Sequence, residues 1–290
     1  MLFLLYQICV FISLRVSLKR AYQIAQILGK AYSFFSFRDK TALCTNLAVI
    51  FPHRSKKEIS SIAEGVFMNF CKYLVDFFRL PLVDDDYIKK NIKIEGIEYL
   101  DDSLKQGRGV ILVSAHLGNW ELGGSILAKL GYNVSAVALS HRHKKIDNFF
   151  TSRRQMFGMQ QIPFGGALRR CFKCLSDKNI LGLIGDRDYF DNGVHVHFFS
   201  KKTLMPKGPA VLALRFGSPI VPIFIIRNAD DTFTIKFYPP IKYRPTGDKD
   251  KDIKLLTLSY LKIIEDVVRK HPEQWYVFRK FWERISWKPR

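Results

Sequence analysis

The sequence has few cysteines and no recognisable motif for a covalent nucleophile. It has five cysteines in 290 residues, and only Cys171 and Cys174 are closely spaced. A structural zinc site needs a second such pair, so we interpret this one as part of a helix. An odd number of scattered cysteines argues for a reducing compartment. The chain also lacks a G-x-S-x-G sequence, which favours chemistry on a bound substrate rather than on an enzyme nucleophile.

Acidic residues are scarce relative to basic ones. The 46 lysines and arginines exceed the 26 aspartates and glutamates, which gives a formal net charge of +20. Such a chain attracts polyanions, which include nucleic acid, an anionic bilayer and an acidic partner protein. Aromatic residues make up 14% of the chain, which fits a protein that works at a membrane interface. A basic nucleic-acid-binding protein is the weaker hypothesis, because the sequence carries no RNA-binding signature.

The sequence has no apolar run long enough for an ordinary transmembrane helix. The longest, MLFLLYQICVFISL, covers 14 residues and is followed by Arg15, Lys19 and Arg20. A span needs about 20 apolar residues, and a cleaved signal peptide needs a basic start and a small-residue cleavage site. We therefore interpret residues 1–20 as an uncleaved membrane anchor or interfacial helix, with its basic flank on the cytoplasmic side. A buried amphipathic helix is the alternative.

Hydrophobic periodicity divides the rest of the chain into two regions. Residues 21–90 have helical spacing, and the clearest helix is 56–79, where Ser55 and Glu58 form a capping-box pattern. Residues 91–290 alternate apolar runs with helical stretches, which predicts an α/β domain whose mostly parallel sheet is covered on both faces. The predicted strands are 109–115, 133–139, 179–184, 219–226 and 232–238. The predicted helices are 120–130, 145–157, 166–177, 206–216 and 253–270.

The stretch VSAHLGNWELGG, residues 113–124, is a candidate catalytic element. His116 follows an apolar strand, at the edge where open α/β sheets form their sites. Asn119 is a good N-cap, Trp120 begins a helix, and Glu121 lies in its first turn. Across such a junction Glu121 is placed to accept the Nδ1 hydrogen of His116, which would leave Nε2 as a general base. A histidine in a turn that serves only a structural role is the alternative.

Three further clusters are candidate ligand or metal sites. Asp186, Arg187 and Asp188 follow the strand NILGLI, so the same cleft is their expected location. A structural ion pair and a Mg²⁺-binding D-x-D are the alternatives. His195 and His197 share a strand face, and His141 and His143 show the same spacing. Neither histidine pair has an evident third ligand, so no metal is predicted.

Aromatic and basic residues alternate at the C-terminus. The aromatic and apolar members recur at helical spacing. Such a face is expected either to rest on lipid headgroups or to pack on the core. The residues concerned are Trp275, Phe278, Phe281, Trp282 and Ile285.

The motif HLGNWE, residues 116–121, resembles the H-x-x-x-x-[D/E] signature of the lysophospholipid acyltransferases. Its NWE is most similar to the branch that adds secondary acyl chains to lipid A and related bacterial glycolipids. The similarity covers nearly the whole chain. It extends to NLAVIFPHRSKKEI (46–59), NFCKYLVDFFRL (69–80), IEGIEYLDDSLKQGRGVILVSAHLGNWELGG (94–124), GDRD (185–188), GPAVLALRFGSPIVPIF (208–224) and HPEQWYVFRKFW (271–282).

The resemblance implies a glycerol-3-phosphate acyltransferase-like fold and a catalytic dyad of His116 and Glu121. His116 would deprotonate an acceptor hydroxyl, which then attacks an acyl thioester, with no metal or other cofactor. Arg154 would contact a substrate phosphate, with Arg153 as the alternative register and a solvated helix face as the non-functional interpretation. The other residues expected to contact substrate are Asn119, Trp120, Asp186, Arg187 and Asp188. Ser200 and Lys201 stand where many members carry an acidic residue or glycine, so no third acidic contribution is expected there.

The resemblance also implies partners and a location. The donor would be acyl carrier protein or acyl-coenzyme A, and the acceptor a lipid A precursor or related glycolipid. The enzyme would act on an anionic membrane at the cytoplasmic face of the inner membrane, without a nucleic-acid partner. Acylation of another phospholipid or glycolipid, or hydrolysis of the thioester, is the alternative activity.

Overall fold

A computed structural model describes residues 2–141, 143–188 and 191–283 of the chain. Helices form the first ninety residues. They are α1 (Leu2–Arg15), α2 (Leu18–Phe35), α3 (Phe37–Ile50), α4 (Lys56–Arg79) and α5 (Asp85–Asn91), with a 3-10 turn at Leu80–Leu82. The predicted capping box of α4 is confirmed, because Ser55 Oγ accepts from the Glu58 amide and Glu58 accepts from the Ser55 amide.

A seven-stranded sheet forms the centre of the remaining chain. Its strands are β1 (Ile92–Glu95), β2 (Val110–Ser114), β3 (Val134–Ala138), β4 (Gln160–Pro163), β5 (Ile180–Ile184), β8 (Ile220–Arg227) and β9 (Phe233–Phe237). The order is β1-β9-β8-β2-β5-β3-β4, and all neighbours are parallel except β8 and β9. The predicted α/β fold with a mostly parallel sheet flanked by helices is therefore confirmed.

Two further strands, β6 (Val194–Phe198) and β7 (Lys201–Met205), form a separate antiparallel hairpin. Phe199 and Ser200 join them with positive φ values of 49° and 62°. Of the nine strands in the described ranges, five match predicted apolar runs, and β1, β4, β6 and β7 were not predicted. Each of these four is short and carries polar residues, so its hydrophobic signal is weak.

The two faces of the sheet carry separate cores. The helices are α6 (Ile97–Lys105), α7 (Trp120–Lys129), α8 (Lys144–Gln155), α9 (Ala167–Ser176), α10 (Gly208–Phe216) and α11 (Lys249–Lys270). Ile111 and Val113 of β2 pack with α9, α10 and α11, whereas Val110 and Leu112 pack with α4 and α7. Alternate residues of one strand thus enter opposite cores, which explains its unbroken apolar run.

The N-terminal helix lies against the protein along one side only. Phe3, Tyr6 and Val10 pack on the core shared by α4 and α8, while the opposite side of α1 is exposed. No helix in the described part of the chain is long and apolar enough to cross a membrane. Within the predicted anchor, residues 1–20, the helix Leu2–Arg15 packs on this core.

The C-terminal segment is not a helix in its described part. A 3-10 turn at Pro272–Gln274 leads into extended chain, and Trp275 forms a bridge with Leu117. Of the two predicted roles, core packing is the observed one, because Phe281 and Trp282 pack around Phe198 of the hairpin. Ile285 lies outside the described residues. Backbone pairing with the loop after β2 holds this segment extended and overrides its helical spacing.

Candidate active site

Sheet register brings the candidate base and an aspartate together. Ser114 ends β2, Ile184 ends β5, and these two residues are directly paired in the parallel ladder. His116 and Asp186 each follow two residues later, and the Gly185 amide donates to the Ser114 carbonyl to extend the pairing. Both side chains therefore leave the same edge of the sheet at the same level.

Asp186 holds the His116 side chain and its backbone. Asp186 Oδ1 lies 2.6 Å from His116 Nδ1. Asp186 Oδ2 accepts from the His116 amide at 3.0 Å and from Trp275 Nε1 at 2.9 Å. Because the carboxylate is completely buried and both its oxygens are bonded, it fixes the position and the tautomer of the imidazole.

The electrostatic setting keeps the imidazole neutral and the carboxyl group charged. Burial lowers the pKa of His116, and nearby Arg187 and Arg279 lower it further, against the opposing effect of Asp186. For Asp186 burial acts to raise the pKa, but His116, Arg187 and the Trp275 hydrogen bond outweigh it and bring the pKa to about 2. A neutral imidazole oriented by a carboxylate is suited to accept a proton through Nε2.

The predicted hydrogen bond between His116 and Glu121 is absent from the described structure. Glu121 instead forms a buried bidentate pair with Arg154, whose Nε donates to Oε2 at 2.8 Å and whose Nη2 donates to Oε1 at 2.5 Å. Arg154 Nη1 also donates to Gln161 at 2.8 Å. Glu121 in the first turn of α7 faces α8, so its carboxylate meets the arginine of that helix. We predicted that Glu121 orients His116. In the structure Asp186 is the carboxylate that contacts His116 and orients it.

Asn119 has a structural role in this arrangement. Its Oδ1 accepts from the Leu122 amide as the predicted N-cap of α7, and its Nδ2 donates to Asp76 Oδ2 at 2.8 Å. The side chain is buried and does not line the cavity described below. Both ends of the amide are used inside the protein, so the expectation that Asn119 contacts substrate is not supported.

A buried polar cluster beneath this loop was missed by sequence analysis. Asp76 of α4 accepts from Tyr22 Oη at 2.5 Å, from Asn119 and from Arg227 at the end of β8. Arg227 in turn bonds Asp231, which pairs with Lys72 at 2.7 Å. The cluster ties the helical region to the α7 N-terminus. Asp76 lies among the apolar positions of α4, and this was the one sequence signal for the cluster. A charge buried at such a position needs polar partners.

The loop between His116 and α7 is clamped by neighbouring backbone. The Tyr276 amide donates to the His116 carbonyl at 2.8 Å, and the Gly118 amide donates to the Gln274 carbonyl at 2.9 Å. Gly118 has φ of +65°, and a Cβ there would lie 1.8 Å from the Ile225 carbonyl oxygen. Only glycine fits this position, so the turn and the location of His116 are set together.

An apolar cavity of about 730 Å³ opens beside His116. It enters the sheet between β3 and β5, whose pairing ends at Ala136 and Gly182, whereas β5 remains paired with β2 as far as Ile184. Below His116 the wall is almost entirely apolar. Its members there include Leu112, Leu127, Val134, Ala136, Val137, Met159, Gly182, Leu183, Ile223 and Ile225.

The remaining predicted residues converge on this cavity. Trp120 lines it, with its ring 5.3 Å from that of His116 and stacked on Tyr73 at 4.9 Å. Arg187 and Asp188 line it as well. Arg187 Nη2 donates to the Tyr276 carbonyl at 2.7 Å, and Asp188 accepts from the Gly193 amide at 3.1 Å. Arg154 reaches the wall, but Arg153 does not.

The described residues contain no group of three His, Cys, Asp or Glu side chains that can hold a metal ion. His195 and His197 lie on the exposed face of β6, opposite the side that carries Val196 and Phe198 into the core. Asp186 bonds His116 and Trp275, whereas Asp188 accepts from the Gly193 amide. Cys171 and Cys174 are free thiols buried in α9.

Comparison with known proteins agrees with this geometry. Residues 1–284 match the family model described as bacterial lipid A biosynthesis acyltransferase. The chain is 26% identical over 218 residues to a phosphatidylinositol mannoside acyltransferase of Mycolicibacterium smegmatis. The aligned region covers 74% of this chain and 70% of that protein. The chain is also 24% identical over 241 residues to a lipid A biosynthesis palmitoleoyltransferase of Escherichia coli. That aligned region covers 81% of this chain and 76% of that protein.

The match to the family model spans almost the whole chain and includes every residue of the site. An imidazole held by a buried carboxylate at the mouth of an apolar cavity is consistent with acyl transfer. The chain therefore belongs to the bacterial lipid A biosynthesis acyltransferase family and is an acyltransferase.

Proposed function

We propose that this enzyme transfers a fatty acyl chain from an acyl thioester to a hydroxyl group of a membrane glycolipid. The main support for this proposal is the pairing of His116 Nδ1 with the buried carboxylate of Asp186 at the mouth of the apolar cavity. The thioester is carried by acyl carrier protein or coenzyme A. The relatives named above act on lipid A and phosphatidylinositol mannosides, which supports a glycolipid acceptor.

The reaction follows from the state of His116. Neutral His116 accepts the acceptor's hydroxyl proton at Nε2 while the hydroxyl oxygen attacks the thioester carbonyl carbon. Asp186 stabilises the imidazolium that forms. The tetrahedral intermediate collapses, the carbon–sulfur bond breaks, and the imidazolium returns its proton to the leaving thiolate. The thioester is already activated, so a covalent acyl-enzyme is not required.

The N-terminus of α7 supplies the stabilisation of the developing oxyanion. The Leu122 and Gly123 amides already donate to Asn119. The Trp120 and Glu121 amides make no hydrogen bond within the described chain, and they lie at the positive end of the helix dipole. We assign these two amides as donors to the oxyanion.

The apolar cavity receives the acyl chain. Its volume lies in the range typical of small-molecule sites, and its depth along the split between β3 and β5 suits a hydrocarbon tail. The carbonyl group remains beside His116 while the tail packs against Val134 and Met159. The Glu121–Arg154 pair fixes α8 on α7 and so shapes one wall.

The exposed sides of α1 and α2, with Phe37 at the start of α3, form the membrane contact. Phe34, Phe35 and Phe37 are each about 80% exposed, and α1 and α2 carry further exposed apolar residues, namely Leu4, Leu5, Ile8, Phe11, Ile24, Ile27 and Leu28. A patch of this kind marks an interaction surface. Arg15, Lys19, Arg20 and Lys30 accompany it, which favours an anionic bilayer. We propose that this surface holds the enzyme on the cytoplasmic face of the inner membrane.

An acyltransferase assay tests the proposal. The purified enzyme is incubated with a radiolabelled acyl thioester and glycolipid acceptors in vesicles, and acylated lipid and free fatty acid are quantified in the same reaction. Acylated lipid should dominate, and His116→Ala should abolish it, whereas His53→Ala at an exposed position should not. Excess free fatty acid would indicate a hydrolase. Normal transfer by His116→Ala would refute the mechanism.

A further inference from the structure

A second cleft, of about 480 Å³, lies beside the active-site cavity. We call it the basic cleft. It is lined by Arg38, Arg187, Asp188, Asp191, His195, Lys202, Thr203, Leu204, Arg279, Lys280, Phe281, Trp282 and Glu283. Arg187 and Asp188 also line the active-site cavity, so the two spaces share a wall.

Three further parts of the fold join the loop that carries Arg187 and Asp188 in building the basic cleft. Arg38 comes from the first turn of α3, and Lys202 comes from β7 of the hairpin. Arg279 and Lys280 come from the extended C-terminal segment, whose Trp275 and Tyr276 clamp the catalytic loop. Elements far apart in sequence thus place several cations around one space, where their combined field attracts an anion.

The lining carries more positive than negative charge. Five lysines and arginines face three carboxylates. Glu283 pairs with Lys280 at 2.8 Å and Asp188 accepts from the Gly193 amide, and five cations against three carboxylates leave an excess of two positive charges. Arg187 Nε is buried and makes no hydrogen bond within the described residues. The remaining positive charge and this unused donor are suited to a phosphate group.

The basic cleft also lies next to the membrane-contact surface. Phe37, at 81% exposure, immediately precedes Arg38 of the cleft lining. A lipid whose acyl chains stay in the bilayer can therefore present its headgroup to Arg38. From there the wall formed by Arg187 and Asp188 leads to His116.

We propose that the basic cleft binds a phosphate group of one substrate while that substrate's reacting end lies beside His116. This inference rests on the proposed acyl transfer, whose site it completes. The phosphate belongs either to the headgroup of the acceptor glycolipid or to the carrier arm of the acyl donor. Both sources have the same chemistry, and the experiment separates them.

Direct binding is measured first, without any turnover. The wild-type enzyme is titrated with inorganic pyrophosphate by calorimetry at low ionic strength, together with Lys202→Glu, Arg38→Glu and the control Lys254→Glu on the exposed side of α11. Pyrophosphate should bind the wild type and the control equally, and tenfold or more weakly to each cleft variant. No binding to the wild type, or equal weakening in the control, would overturn the proposal.

Kinetics then identify the source of the phosphate. If the donor supplies it, Lys202→Glu raises KM tenfold or more for an acyl-coenzyme A, but not for the same acyl chain on pantetheine, which lacks phosphate. If the acceptor supplies it, KM rises for the phosphorylated glycolipid and not for its phosphatase-treated form. Unchanged KM for every substrate would overturn the proposal while acyl transfer stands. Absence of transfer by the wild type would instead refute the proposed function, and the pyrophosphate titration would still test the cleft.

Discussion

Asp186 Oδ1 lies 2.6 Å from Nδ1 of His116, and the same carboxylate also receives the His116 backbone amide and the Trp275 indole. The orienting acid thus comes from the strand beside the histidine, seventy residues further along the chain. Glu121, five residues from His116, serves a different contact.

Replacement of Asp186 tests its role as the orienting acid. Asp186→Asn should lower kcat by roughly 10²- to 10⁴-fold with little change in donor KM, because the amide permits the wrong imidazole tautomer and cannot stabilise the imidazolium. Steady-state kinetics with an acyl thioester measure both constants. A variant with wild-type kcat would exclude Asp186 from the reaction.

The pH dependence of the reaction reports the state of His116. Burial and neighbouring cations lower the pKa of His116. The reactive neutral imidazole is therefore retained as the pH falls below 6.5, and activity is lost only when the pH drops through that lowered pKa. The acid limb of kcat/KM is therefore expected below 6.5. Arg187→Gln removes a cation that lowers this pKa, so its limb should move to higher pH. Lys254→Gln is the control, and a limb that does not move in Arg187→Gln contradicts the assignment.

The buried pair of Glu121 and Arg154 is expected to act on stability and on the cavity wall. Glu121→Gln leaves a buried guanidinium without its carboxylate, which costs about 3–5 kcal/mol. Combining it with Arg154→Met should restore much of the loss. Thermal unfolding of the two single variants and the double variant measures the coupling. Additive losses would show that the two side chains do not depend on each other.

Gly182 sits where the cavity enters the sheet, so its substitution should change the preferred acyl chain. A Cβ added there meets Ala136 at an ordinary 3.7 Å, which means that Gly182→Ala is tolerated and Gly182→Val extends into the cavity. Each methylene excluded from the cavity forfeits about 0.8 kcal/mol, or about fourfold in preference. Competition between donors of different length measures this shift. A short donor used at the wild-type rate serves as the internal control, and an unchanged preference would remove the cavity from acyl-chain binding.

The exposed phenylalanines of the membrane-contact surface predict vesicle binding. Phe34→Ser combined with Phe35→Ser should weaken partition into anionic vesicles by roughly tenfold or more, because two large apolar side chains no longer enter the bilayer. Leu255→Ser, at an exposed apolar position on α11, is the matched control. Vesicle sedimentation measures the partition, and equal binding by all three proteins would place the membrane contact elsewhere.

The sequence by itself determined the class of fold and the place of His116 at the edge of the sheet. The apolar runs predicted at 109–115, 179–184 and 219–226 are typical of a sheet covered on both faces, and they match three neighbouring strands at its centre. The position of His116 after the first of these runs predicts a site at the sheet edge. The N-cap at Asn119 and the capping box at Ser55 are local patterns, which is why both were predicted correctly.

Only the tertiary structure decided which acid lies against His116. The partner of a side chain depends on which strands are neighbours and on their register. Neither property can be predicted from the spacing of residues within one short stretch of sequence. The pairing of Ser114 with Ile184 brings Asp186 to His116, while the rotation of α7 turns Glu121 toward Arg154. The same long-range packing sets the core position of Trp275, the buried Asp76 cluster and the basic cleft. Each of them joins residues whose proximity arises only when the chain is folded.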